Sequence, residues 1–302
     1  MTLSAGNTFA GYVVQCHLGR GGMSEVYRVT NPTSGRTEAL KILEPEIAFD
    51  GAARARFQRE FDIAHTLHHP NLVSMYSDGL TDDVPWLTMQ FVDGPSASTL
   101  IPLLGARPDL NAVIDVVDQI ADGLDYAHGR DVLHRDVKPG NILVESTPSL
   151  AVLTDFGVAY LLDDSRPLVR KGRILSTIPY AAPELLQGQQ LLPATDQYAL
   201  ACTLVELLTG RTPFPYSTTF AIAHAHIAST PPLLTKRAPW LPPAINAIVG
   251  KALAKDPTDR YRTCGEFIDL AAAVLESTSD EVAGRTPLGF RRWLRTRMAS
   301  GH

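Results

Sequence analysis

From Tyr12 to Thr30 two runs rich in β-forming residues flank a glycine turn, which predicts two strands joined by a tight connection. The stretch TEALKIL, residues 37–43, predicts a third strand. The spacing then changes. Phe57, Phe61, Ala64 and Leu67 or His68 recur at helical intervals, so residues 51–69 are expected to form a helix. LVSMYSDG (72–79) and VPWLTMQFV (84–92) read as two further strands. The turn-rich DGPSAS, 93–98, marks a boundary, and helices dominate beyond it. Pro108-Asp109 opens a helix with Val113, Val117, Ile120 and Leu124 on its apolar face. ATDQYALACTLVELLTG, 194–210, is apolar nearly all round and is stopped by Gly210, so it is expected to be buried. PAINAIVGKALAKDP (243–257) and CGEFIDLAAAVLES (264–277) read as later helices.

Strands first and helices second predict an α+β fold with a small β-rich lobe and a larger helical one. A chain of 302 residues can bury the core this needs, and its 45% hydrophobic and 20% charged content is that of an ordinary globular protein. There is no internal repeat. The net charge of −5 is uneven: from Glu281 onward five arginines face one acid, a local +4 that leaves −9 in the remainder. An acidic body without a basic stripe argues against nucleic acid as a partner. The basic tail, 277–302, has Phe290, Trp293, Leu294 and Met298 at helical spacing among arginines. It reads as a solvated terminus, with contact to an anionic membrane surface as the alternative. Cys16, Cys202 and Cys264 are far apart and match no zinc spacing, which fits a reducing compartment. The start lacks the features of a signal peptide, and no apolar run is long enough to span a bilayer, so a cytoplasmic location is expected.

The chemistry concentrates where apolar runs are interrupted. In VLHRDVKPGNILV, 132–144, Asp136 can orient a hydroxyl and take its proton, Lys138 can neutralise a phosphoryl oxygen, and Asn141 can offer an amide oxygen to a hard cation. LTDFGVA supplies Asp155 at the end of the short strand AVLT. One carboxylate and one amide oxygen, completed by water and phosphate oxygens, make a sensible Mg²⁺ site.

HRDxKxxN followed by DFG resembles the signature of the eukaryotic-like (Hanks-type) protein kinases, and LGRGGMSEVY, HRDVKPGNIL, YAAPE and DQYAL resemble the bacterial Pkn Ser/Thr kinases of actinobacteria. The resemblance implies a bilobal kinase fold, with an N-lobe over 9–93, a C-lobe over 94–276 and the basic tail beyond. It implies that Gly19, Gly21 and Gly22 bring backbone close to ATP phosphates, with Ser24 in place of the family's third glycine. Its hydroxyl could still reach a phosphate. Lys41 would hold the α- and β-phosphates and pair with Glu60, which falls on or beside the inward face of its helix. Leu18, Val26, Ala39 and Leu143 would wall the adenine pocket, Met89 would flank its back, and backbone groups of Gln90 and Val92 would bind the adenine edge. Glu184 and Arg260 would form a buried pair bracing the peptide platform. Asp196 would hold the catalytic loop, with His134 in a supporting role.

The resemblance further implies ATP and Mg²⁺, or Mn²⁺ in its place, as cofactors, and protein Ser/Thr hydroxyls as substrates, with autophosphorylation. Thr177 before IPYAAPE, together with Lys138, points to the Ser/Thr class. Arg135 would receive a phosphate from the activation loop, where Ser165, Ser176 and Thr177 are the hydroxyl candidates; alternatively this loop, made basic by Arg166, Arg170, Lys171 and Arg173, is held by its own charges or by a partner. Dimerisation through the N-lobe is a further implication. Two other readings compete: a pseudokinase serving as a nucleotide-binding scaffold, and a small-molecule phosphotransferase, which would lack the APE platform.

Overall fold

The strand pairings follow from which positions must leave water. The computed structural model describes residues 3–21, 24–44, 48–146, 149–156, 160–161 and 177–276. Strands β1 (Thr8–Phe9), β2 (Tyr12–Arg20), β3 (Ser24–Thr30), β4 (Thr37–Leu43), β5 (Met75–Thr81) and β6 (Val84–Gln90) form one antiparallel sheet in the order β1-β2-β3-β4-β6-β5. Tyr12, Val14, Tyr27, Val29, Leu40 and Ile42 gather with Leu3 and Phe9 into a small core of their own. Ala39, Leu43, Leu87 and Met89 instead join the main core. Strand β4 is therefore covered on both faces, which accounts for its nearly continuous apolar sequence. Helix α1 (Gly51–Ala64) packs against β5 and β6.

Two expected boundaries move. Helix α1 stops at Ala64 rather than 69, because the amides of Thr66 and Leu67 turn back to Ile63 and Ala64 at 3.2 and 3.1 Å in a tighter winding before Pro70. Leu67 is buried all the same. Strand β5 begins at Met75 rather than Leu72. Leu72 instead forms a bridge with Leu153, and the Val73 amide donates to the Leu153 carbonyl at 3.0 Å. That segment serves the second lobe.

The helical part comprises α2 (Leu110–His128), β7 (Val132–Leu133), β8 (Ile142–Ser146), β9 (Ser149–Leu153), β10 (Tyr160–Leu161), α3 (Pro183–Leu186), α4 (Pro193–Thr209), α5 (Thr219–Ala228), α6 (Leu234–Arg237), α7 (Ala244–Ala252) and α8 (Cys264–Glu276). Asp109 caps α2 by accepting from the Ala112 amide at 3.2 Å. Helix α4 is buried from Thr195 to Thr209 except at Glu206, and ends at Gly210 with φ of 73°. Helix α7 is shorter than its pattern suggests. The Asp256 carboxylate accepts from the Thr258 amide at 2.8 Å and starts a separate turn at Pro257. The main core runs without a break from the sheet into α2, α4 and α8. The β-rich lobe and the helical lobe thus stand as the α+β pattern predicts.

Candidate active site

Two loops meet beside the junction of the lobes. The first follows β7. The amides of His134 and Arg135 both donate to the Asp196 carboxylate, at 2.8 and 2.7 Å, and Nε2 of His128 meets the same group at 2.8 Å. Asp196 lies in the first turn of α4 and is fully buried. Burial pushes its carboxyl up, but the His128 contact and the loop amides outweigh that and hold it below the ordinary carboxylate range. Aiming successive amides at one carboxylate bends the backbone sharply, and Arg135 sits at φ 67°.

The His134 ring joins this loop to the second. Its Nε2 faces the Thr154 carbonyl at 2.9 Å and must carry the hydrogen, so Nδ1 accepts from the Asp136 amide at 3.3 Å. Burial lowers its pKa and keeps the ring neutral. Its edge packs on Phe156, with ring centroids 4.7 Å apart. The Thr154 amide and hydroxyl both donate to the Asn141 carbonyl, at 2.8 and 3.0 Å. Asn141 and the residue before Asp155 are therefore fixed to one another.

Asp136 sits at the centre. Its Oδ2 accepts from Lys138 Nζ at 2.7 Å and from Asn141 Nδ2 at 2.9 Å, and its Oδ1 accepts from the Thr177 hydroxyl at 2.8 Å. Asn141 Nδ2 also donates to the Asp136 carbonyl at 2.9 Å, which leaves its Oδ1 on the other branch of the amide. Asp155, at φ 64°, accepts from Lys41 Nζ at 2.7 Å, and its side chain is half exposed. Lys41 also donates to Glu60 at 2.6 Å, deep in the protein. Burial alone would lower the Lys41 pKa; the carboxylates of Asp155 and Glu60 reverse that and hold the ammonium above its ordinary value. The helix pattern that put Glu60 on the inward face is met by Phe57 and Ala64, both buried beside it.

Lys41 stands in β4 opposite Val26 of β3 and Leu87 of β6, and Ala39 stands opposite Met89. Ala39, Met89 and Val92 are buried in the main core, against which Val26 and Leu143 pack, while Leu18 remains largely exposed. Gln90 follows at the end of β6. Gly19 pairs with Val26, and the Gly21 amide donates to the Ser24 carbonyl at 2.7 Å, closing the turn over a buried Ser24. Arg260 grips Glu184 with two bonds, 2.7 and 2.8 Å, and the Thr195 hydroxyl adds a third at 2.9 Å. Arg135 is buried. Gly22, Ser165 and Ser176 lie outside the described residues.

Sequence reasoning missed several supports. Asn71 Nδ2 donates to Gln119 Oε1 and to the Ala151 carbonyl, each at 2.9 Å, tying the segment ahead of β5 to α2 and β9. A glutamine beside the apolar stripe of α2 was the available signal. His128 and Tyr180 had none, since their partners, Asp196 and Glu206, are distant in sequence.

The residues and their order are found elsewhere. The family described as Protein kinase domain matches residues 12–269. Serine/threonine-protein kinase PknF of Mycobacterium tuberculosis (strain ATCC 25618 / H37Rv) is 41% identical over 274 residues, 88% of this chain and 57% of that protein. PknJ of the same strain is 42% identical over 278 residues, 90% of this chain and 47% of that protein. The chain spans about half the length of these curated relatives. The crystal structure of the M. tuberculosis PknI kinase domain superposes with a TM-score of 0.70 at 35% identity, covering 89% of this chain and 98% of that one.

Proposed function

The chain belongs to the protein kinase family, among the Hanks-type Pkn kinases of actinobacteria, and from that premise we propose that it transfers the γ-phosphoryl group of ATP to Ser or Thr hydroxyls of proteins, itself included. The observation that carries the reading is Asp136. One of its oxygens already accepts from a threonine hydroxyl while the other is held by Lys138 and Asn141. A substrate hydroxyl in the place of Thr177 would be oriented by Asp136 and give up its proton to it. Lys138 would neutralise charge on the phosphoryl oxygens, and Lys41, oriented by Glu60, would hold the α- and β-phosphates. Leu18, Val26, Ala39, Met89 and Leu143 would enclose the adenine, with Gln90 and Val92 backbone at its edge and Gly19, Gly21, Gly22 and Ser24 over the phosphates.

The donor set fits a hard cation. The half-exposed Asp155 carboxylate and the Asn141 Oδ1 are oxygen ligands, and two protein ligands suit Mg²⁺, with Mn²⁺ acceptable in the same place. When bound, that ion supplies charge neutralisation on the β- and γ-phosphates. A non-specific preference for Ser/Thr proteins, lobe limits at 93/94 and 276/277, a cytoplasmic location and N-lobe dimerisation belong to the same proposal. Among the described residues no helix is long and apolar enough to cross a membrane. The tail, 277–302, lies outside the described residues, and its contact with lipid stays a proposal. The presence of Lys41, Asp136, Asn141 and Asp155 in the chain supports the catalytic reading over a non-catalytic scaffold, which would need one of them lost.

The test is incorporation of phosphate from MgATP, located by mass spectrometry, on the purified protein and on a Ser/Thr substrate protein. Asp136→Asn is expected to lower the rate by about 10²- to 10⁴-fold with nucleotide binding retained. Nucleotide binding without any phosphate transfer by the unaltered protein would overturn the reading.

A further inference from the structure

Helix α5 shows most of its length to solvent, yet His226 near its end is fully buried. Its Nε2 faces the Pro179 carbonyl at 3.0 Å, and its Nδ1 faces the Tyr198 hydroxyl at 2.9 Å. A carbonyl can only accept, so Nε2 carries the hydrogen. In the neutral ring Nδ1 then offers a lone pair, and the tyrosine hydroxyl donates to it. Phe214 closes the pocket edge-on, with ring centroids 4.9 Å apart. Lys255 Nζ donates to the His226 carbonyl at 2.7 Å and to the Ala225 carbonyl at 3.3 Å, which fixes the end of the helix.

The two partners of His226 belong to the site. Pro179 lies in the single turn Ile178–Tyr180, immediately after Thr177, whose hydroxyl reaches Asp136. Tyr198 is buried in α4, and the Arg260 guanidinium lies over its ring, 4.8 Å from the centroid, while gripping Glu184. The segment 178–184 is thus fastened at its far end by Arg260. Near its start, the Pro179 carbonyl is held by His226.

We infer that His226 is a positioning residue for peptide substrate: through the relay Tyr198–His226–Pro179 it fixes the turn that carries Thr177 and so the path along which a substrate hydroxyl approaches Asp136. The inference rests on the kinase reading above and names the residue that sets how its peptide is seated. Tyr198, His226 and Pro179 are not among the residues proposed to hold the nucleotide. The effect therefore falls on the peptide.

Tyr198→Phe removes one hydroxyl and keeps the packing; His226→Gln keeps an amide donor for Pro179 and loses the ring. In steady-state phosphorylation of a Ser-containing peptide, each variant is expected to raise the peptide KM by about 3- to 10-fold, the worth of one hydrogen bond, while the ATP KM stays within about twofold. A purely structural role would lower the active fraction, and with it kcat, and leave both KM values alone. A second readout needs no activity. The Tyr180 and Ala181 amides donate to Thr177 and Ile178 at 3.0 and 3.1 Å, and both should exchange hydrogen faster in Tyr198→Phe. The Cys264 and Gly265 amides, held by Asp125 at 2.8 and 2.9 Å, should not change. Unchanged exchange together with an unchanged peptide KM would overturn the inference. Faster exchange in a protein that phosphorylates nothing would uphold the positioning and defeat the kinase reading instead.

Discussion

Single residues here are held by neighbours far away in sequence, and their pKa values follow from that. Burial, with the Lys255 charge adding to it, brings His226 down to about 4 from an ordinary 6.5. The unfolded chain takes up the proton first as pH falls. The stability linked to His226 is therefore fully present above about pH 6.5 and is lost as pH drops toward 4, by about 3 kcal/mol in all. Comparing urea midpoints at pH 7 and pH 4.5 should show a smaller loss in His226→Gln than in the unaltered protein; equal losses would contradict the burial of a neutral ring. The Glu184–Arg260 pair makes a second prediction at this scale. Arg260→Leu leaves a buried carboxylate without its cation and should cost about 3–5 kcal/mol. Double replacement by apolar residues of similar volume should recover much of that loss, as read from denaturant midpoints.

Elements meet at distances that leave no room for alternatives. A Cβ on Gly94, in the link after β6, would lie 1.9 Å from the Val144 carbonyl oxygen of β8. Gly94→Ala must therefore push the link away from β8, beside Leu143 and the proposed adenine edge. It is expected to weaken nucleotide binding by about tenfold, the cost of roughly 1.4 kcal/mol of displacement, in a fluorescent-nucleotide titration. The turn-rich DGPSAS stretch marks a boundary in the sequence, and the close approach gives the physical reason for its one glycine, Gly94. Element ends were less legible. Helix α1 and helix α7 both stop short of their apolar patterns: the Leu67 and Ala254 amides turn back three residues, to Ala64 and Lys251, ahead of Pro70 and Pro257. Helix α8 follows its clean pattern from Cys264 to Glu276, the last of the described residues.

At the scale of the molecule, the two lobes share one continuous apolar core, and Lys41 of the sheet is bonded to Asp155 of the helical lobe. A ligand that bridges them should stabilise both together. MgATP at about 100 times its Kd should add about 2.7 kcal/mol, seen as a single raised thermal transition. Chelation of the metal should remove most of the gain. Two separated transitions would mean that the lobes unfold independently.

Some of this was fixed by local sequence alone. Strand and helix periodicity, the glycine turn at 19–22, and the chemistry of Asp136, Lys138, Asn141 and Asp155 are readable because each depends on residue type and short spacing. The inward placement of Glu60 was readable too, since helical geometry carries it from Phe57 and Ala64. What only the tertiary structure decided are the partners: Asp196 beneath the His134 and Arg135 amides, His134 on Thr154, Tyr198 and His226 behind Pro179. These contacts join residues 20 to 62 positions apart. No periodicity links such residues; the core must first close and bring α4, α5 and the two loops to one place, and only then does each buried polar group have a partner to choose.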